Sequence, residues 1–353
     1  MTAKKVTTLV ITAALLGSLA YWSSHRGRIK TPSLAGKPVL KSIDLSQVGR
    51  IEVSSNGKKN LILKGTEAGW TMESLFNYPA DITKIRANLL SLTDLKIGQV
   101  ARGKKLANDT LVDLQSPEGK SLAILRLGEK HLREAPGEMA MMGGGSFPDG
   151  RYVATEGETV YLVKETLDAF DGEIRSWADT QICSVPSSEI TAVEFKVNGE
   201  TLKMERKEGN WKLDGLGEKE ELDTSKLYSL DTALNNLTFT RVADPTLTEE
   251  QTGLTTGTVY TATLKSGERY QARVGNTIGT DRAFKVSASF EPSGTNALEN
   301  ATIKAKVDKF NADVAKWTYL IASSSADNFS KRRTDVVKAK EEPKPEKDEK
   351  KTE

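Results

Sequence analysis

The chain has 353 residues, of which 28% are charged and 6% aromatic, and a formal net charge of +2. That length accommodates about two domains, and the near-neutral balance supplies no field for binding nucleic acid or strongly anionic surfaces. A single cysteine, Cys183, excludes an internal disulfide framework, and with only His25 and His131 no folded metal site can recruit two histidines beyond the N-terminal region.

Val6 to Trp22 is a run of 17 residues without a charge, preceded by Lys4 and Lys5 and followed by His25, Arg26, Arg28 and Lys30. At about 1.5 Å per residue it reaches the short end of a spanning helix. Residues 1–24 therefore read as an N-terminal membrane anchor, with Val6, Leu9, Ile11, Leu15, Leu19 and Trp22 facing lipid and Tyr21 joining Trp22 at the interface. A cleaved signal peptide with Ser18-x-Ala20 as its cleavage site is the rival reading. The aromatic and basic residues that follow at once favour an uncleaved anchor, and the lack of a cysteine near Ala20 excludes lipoprotein processing. Residues 25–41 hold Gly27, Pro32, Gly36 and Pro38 with little apolar periodicity and read as a linker.

Residues 42–183 form the first expected module. Arg50 to Ser55 alternates apolar and polar residues, Asn56-Gly57 supplies a hairpin turn, and Lys59 to Lys64 returns. A turn at Glu67 to Gly69 leads to Trp70, which is expected on the buried face covering the next helix. That helix starts at Asp81, an N-cap candidate, and carries Ile82, Ile85, Leu89 and Leu92 on one face. Strands are predicted over 110–115, 121–127, 152–155 and 159–163. His131 to Gly150, with Met139, Met141, Met142 and Gly143 to Gly145, reads as a loop insertion, and 164–170 starts a short helix.

Residues 185–330 repeat the order. Asp81 to Ala101 maps without a gap on Asp223 to Ala243 at a displacement of 142, with Asp81/Asp223, Lys84/Lys226, Leu92/Leu234, Leu95/Leu237, Val100/Val242 and Ala101/Ala243 identical. Leu227, Leu230, Leu234 and Leu237 predict a second amphipathic helix. Asn198-Gly199 matches Asn56-Gly57, Trp211 matches Trp70, and Gly128 and Gly275 read as ends of equivalent strands. The interval Phe170 to Trp177 recurs as Phe310 to Trp317. These markers predict an α+β fold of two duplicated modules, each of antiparallel strands with a packed helix, behind one N-terminal transmembrane helix. Residues 331–353, with balanced charge and no aromatics, read as a disordered tail.

No catalytic constellation emerges. Gly119-Lys120-Ser121 ends like a phosphate loop, but Leu114 stands where that loop needs glycine. Cys183 has no nearby histidine, no carboxylate spacing singles out an acid–base pair, and capping accounts for Asp81 and Asp223. Core packing accounts for Trp70, Trp177, Trp211 and Trp317 better than sugar stacking does. No cofactor is expected.

The segments YPADITKIRANLLSLTDLKIGQVA, GRYVATEGETVYLVKETLDAF and EEQTGL make the chain, over about Leu40 to Trp317, resemble the bacterial family catalogued as domain of unknown function 4340. The resemblance implies a single-pass inner-membrane protein with its globular part in the periplasm. It also implies partnership with the permease or auxiliary subunits of gliding-type ABC transporters. No catalytic residue carries over, and Met139 to Gly145 falls outside the pattern. The expected function is an accessory or scaffold protein without catalysis. The alternatives are a cell-wall or glycan-binding module and a hydrolase with a carboxylate pair.

Overall fold

A computed structural model describes residues 34–40, 43–107, 109–134, 145–292 and 296–340. The apolar run 6–22, Met139 to Met142 and residues 341–353 lie outside them. Antiparallel strands dominate, with a few helices, giving an α+β fold. No described helix is long and apolar enough to cross a membrane. The described residues form two compact units, one from segments 34–43, 91–109 and 124–167, the other from 44–90, 110–123 and 168–340.

In the larger unit, Arg50–Ser55 (β1), Lys58–Thr66 (β2) and Gly69–Met72 (β3) form the predicted meander. Asn56 and Gly57 take φ of 52° and 74°, the left-handed pair that a type I′ turn requires. Tyr78–Pro79 (β4) pairs with β3, and helix α1 (Ile82–Thr93) leads towards Gln99–Val100 (β5) of the other unit. Thr110–Gln115 (β6) lies beside β1, and a turn at 116–120 opens Ser121–Glu134 (β7), so the order runs β4-β3-β2-β1-β6-β7. In the smaller unit β7 continues beside Ser146–Ala154 (β8), then Val160–Val163 (β9) and β5. The insertion's two ends are therefore strand rather than loop, since Leu132 and Arg133 pair with Pro148 and Phe147.

The larger unit continues with Gln181–Cys183 (β10), Ile190–Val197 (β11), Glu200–Lys207 (β12), Asn210–Lys212 (β13) and Glu220–Leu222 (β14). Helix α2 (Tyr228–Thr232), Leu237–Thr238 (β15), Arg241–Val242 (β16) and helix α3 (Glu249–Thr252) follow. Thr258–Leu264 (β17), Glu268–Ile278 (β18) and Asp281–Phe290 (β19) precede the long helix α4 (Ala297–Val314). Tyr319–Ala322 (β20), helices α5 (Ser323–Ala326) and α6 (Arg333–Val336), and Val337–Ala339 (β21) close the chain. Here the sheet order is β13-β12-β11-β17-β18-β19-β20-β16.

From β3 and β13 onward the two orders correspond strand for strand, β4 alone having no counterpart in the second sheet, and the central registers correspond as well. Ile51 faces Leu63 and Leu114, and Val193 faces Met204 and Ala262. Asn198 and Gly199 repeat the turn, with φ of 50° and 85°. Gly128 and Gly275 lie inside β7 and β18 rather than at their ends, each beside a break in register to the next strand. Their carbonyls accept from Arg151 Nε (2.9 Å) and Arg282 Nε (2.8 Å) on the adjacent strands. A Cβ at Gly275 would stand 2.0 Å from the Thr252 carbonyl, so the close approach of α3 requires glycine.

Four sequence expectations are corrected. The second helix breaks into a 3-10 turn at Thr224–Lys226 and the five residues of α2. Ser229, Thr232, Asn235 and Asn236 offer competing local hydrogen bonds there: Thr232 Oγ1 donates to the Tyr228 carbonyl, and Asn236 turns left-handed at φ 50°. Ile82, placed on the apolar face of α1, is 41% exposed, whereas Ile85, Leu89 and Leu92 are buried. The tail folds as far as residue 340, because Val336 is fully buried and β21 pairs with β14. The linker packs from residue 34, with Val39 and Leu40 buried and Val39 N donating to the Leu95 carbonyl at 2.9 Å.

The interval Phe310 to Trp317 is also not the counterpart of Phe170 to Trp177. Phe170 and Trp177 stack edge to face at 5.2 Å after β9, whereas Phe310 sits in α4 against Tyr270, ahead of β20. After β20 the stretch 322–329 matches 163–170 at a displacement of 159, aligning Asp168 with Asp327 and Phe170 with Phe329. Both phenylalanines are buried. Trp177 then aligns with Val336, and their carbonyls accept from Asp81 N (2.8 Å) and Asp223 N (2.9 Å).

Candidate binding groove

The residues singled out by sequence are engaged in holding the fold. Asp81 Oδ1 accepts from Thr83 N at 2.8 Å, capping α1, and Lys84 Nζ donates to the carbonyls of Arg175 and Ala178 at 2.9 Å. Asp223 Oδ1 accepts from Ser225 Oγ (2.6 Å) and Ser225 N (3.1 Å), bonds that hold its carboxyl below the usual range. Asp223 lines a surface cavity of about 490 Å³ with Lys226, Tyr228 and Lys331, and Asp81 is not among its walls. Burial pushes the Cys183 thiol up to about 12, and its Sγ lies 3.6 Å from the Leu234 carbonyl. His131 meets Tyr152 edge to face at 5.9 Å, and its Nδ1 is buried without a hydrogen-bond partner. Among the described residues, no three His, Cys, Asp or Glu side chains converge as a metal site would require.

The tryptophans divide. Trp177 is fully buried and its Nε1 donates to the Ala169 carbonyl at 2.8 Å. Trp211 is buried beneath the Arg206 guanidinium, 4.7 Å from its ring. Trp70 is only half-buried, because Met72 occupies the sealed position of β3 while the indole lies over Gly65. Trp317 is also half-buried and tilts against Tyr78 at 4.9 Å.

Trp317 marks a concave surface of mixed chemistry. Tyr78 stacks on Phe239 at 5.0 Å as well as on Trp317, and Phe239 stacks on Tyr319 at 5.3 Å. Burial raises the Tyr78 phenol to about 12, so this cluster is neutral at ordinary pH. Beside it opens a groove of about 560 Å³. Its floor is Val242, Ala243 and Leu254, and Phe76, 39% exposed with φ of 54°, stands at one lip. Arg273, Lys285 and Lys316 line it, opposed by the single carboxylate of Glu249. None of the three cations forms an ion pair among the described residues. A ligand with an apolar body and negative charge suits such walls.

A second cavity, of about 580 Å³, is of mixed lining, with Asn60, Ser74, Thr180, Thr238, Thr240 and Arg241 beside Leu61, Leu75 and Ile174. Neither concavity has a local sequence signature. Their residues come from segments far apart in the chain, and only the pairing of β18 with β19 could have placed Arg273 opposite Lys285.

Residues 70–256 match the family model described as Domain of unknown function (DUF4340). No curated protein and no solved structure matches the chain. The match covers Phe76, Val242, Ala243, Leu254 and Glu249 of the groove, and ends before Arg273, Lys285 and Lys316.

Proposed function

The chain belongs to the family described as Domain of unknown function (DUF4340), and on that premise we propose that it is a membrane-anchored, extracytoplasmic accessory protein of an ABC-type transporter, acting by binding rather than catalysis. The observation that carries this reading is the groove beside Trp317: apolar floor, exposed aromatic lip and three cations without carboxylate partners among the described residues. A catalytic role for the twinned aspartates finds no comparable support, since Asp81 and Asp223 already serve backbone N–H groups.

The uncharged run Val6 to Trp22 supports a tether in the inner membrane with the globular part outside the cytoplasm. The matching strand orders and registers support an internal repeat, one copy beginning near residue 42 and the other near 185. A reporter enzyme active only in the periplasm, fused after residue 353, should be active; a silent fusion with full expression reverses the topology. Affinity capture of the full chain from solubilised membranes should recover a transporter permease. Repeated recovery of the chain alone overturns the accessory reading.

A second reading rests on the cavity of about 580 Å³, whose threonines, Asn60 and Arg241 offer donors and acceptors that suit a polyhydroxylated ligand such as a cell-wall glycan. Soluble glycan fragments should then protect the fold against thermal unfolding, and an unchanged Tm eliminates it.

A further inference from the structure

We propose that the groove beside Trp317 receives an extended acidic peptide segment carrying a large apolar side chain. This inference rests on the binding role argued above and names the chemistry of the partner.

Arg273 on β18 and Lys285 on β19 are direct register partners. Opposed residues on antiparallel strands share a face with their Cβ atoms about 5 Å apart, and like charges so placed repel. Lys316, just past the end of α4, adds a third positive charge to the same wall. With no carboxylate among the described residues pairing these groups, they stand ready to meet negative charge from a partner.

The shape selects the occupant. Arg273 and Lys285 also line a second, smaller cavity of about 270 Å³ that continues past Val286, Asn311 and Val314. The two cations therefore border both cavities and form a sill that the two share. A compact head group would occupy one side of that sill. An extended peptide alternates its side chains, so it can set carboxylates on the sill and one apolar residue against Leu247, Leu254 and Trp317. Glu249, at the other lip, disfavours acidic residues at that end and so gives the peptide a direction. The exposed Phe76 ring beside the apolar floor supplies a further contact for the anchor.

The test uses the full chain in detergent and a labelled ten-residue peptide alternating Glu and Leu around a central Phe, followed by fluorescence anisotropy. The peptide should bind, and binding should weaken as salt rises. Its Lys-for-Glu counterpart should not bind. The double variant Lys285→Glu, Lys316→Glu should lose at least tenfold in affinity. Its unfolding midpoint should stay level or rise, since Arg273 then gains a partner. Equal binding by that folded variant, equal binding of the basic peptide, or binding only to phosphatidylglycerol vesicles or inorganic phosphate overturns the proposal. Capture of the transporter permease by the unaltered chain, with no binding of the acidic peptide, would sink the groove proposal and leave the accessory reading standing. Peptide binding without any permease in the capture would do the reverse.

Discussion

Trp70 and Trp211 occupy the same register in corresponding meanders, yet they rest on opposite chemistry. Trp70 pairs across β3 and β2 with Gly65. Trp211 pairs across β13 and β12 with Arg206, whose guanidinium covers the indole and forms an ion pair with Asp231. At the displacement of 142 that relates the two helices, Asp231 corresponds to Leu89, and both are buried. One half thus holds Gly and Leu where the other holds Arg and Asp. Taken singly, either exchange would bury a lone charge. Taken together they compensate, with Arg206 also donating to the Ser187 carbonyl at 2.9 Å. The lesson is that the register of a meander, not the chemistry of one position, is what the two halves have in common.

The comparison is broken most severely at the buried aromatics. Phe170→Ala and Phe329→Ala should each cost about 3–5 kcal/mol in urea unfolding and match within about 1 kcal/mol, while Phe310→Ala, half-buried on α4, should cost distinctly less. Near-equal losses at Phe170 and Phe310 would restore the interval Phe310 to Trp317 as the repeat marker. Next in size, Arg206→Ala should cost about 3 kcal/mol by stranding Asp231, and the double change Arg206→Met, Asp231→Leu should recover most of it. A double-mutant cycle measures this, and purely additive losses would mean that the two residues are not coupled. Smaller again, Asp81→Ala should cost about 1 kcal/mol, because it uncaps the twelve residues of α1. Asp223→Ala should shift the midpoint less, since it caps only a 3-10 turn.

Cys183 belongs to neither pair and serves as an internal control. Burial raises its thiol from the ordinary range to about 12, so the folded state retains a proton that the unfolded state releases in between. Its contribution is fully present below pH 9 and is lost as pH rises towards 12. Cys183→Ala should flatten the fall of the unfolding midpoint across that range, and an unchanged slope would assign the fall to buried tyrosines such as Tyr78.

Legibility varied with how local the signal was. The hairpins at Asn56-Gly57 and Asn198-Gly199 were readable because a type I′ turn needs positive φ at two adjacent residues, a demand met within four residues of chain. The helix at Asp81 was readable from its cap and apolar spacing. Its counterpart was not, because polar residues between Tyr228 and Asn236 divert the backbone while the leucine spacing persists. The end of the fold is not legible because charge around Val336 and Val337 masks a buried side chain and a strand that pairs with β14. Phe329 was overlooked because α4 intervenes between β19 and β20 and shifts the displacement from 142 to 159.

The sequence by itself determined the two opening hairpins, their tight turns and the family, since each depends on residues close in the chain or on a pattern repeated along it. The tertiary structure alone decided that Arg206 and Asp231 meet, that Phe170 answers to Phe329, and that Phe76, Arg273, Lys285 and Lys316 face one groove. Those relations join positions dozens to hundreds of residues apart. Pairing register and packing set them, and neither leaves a periodic trace in the order of amino acids.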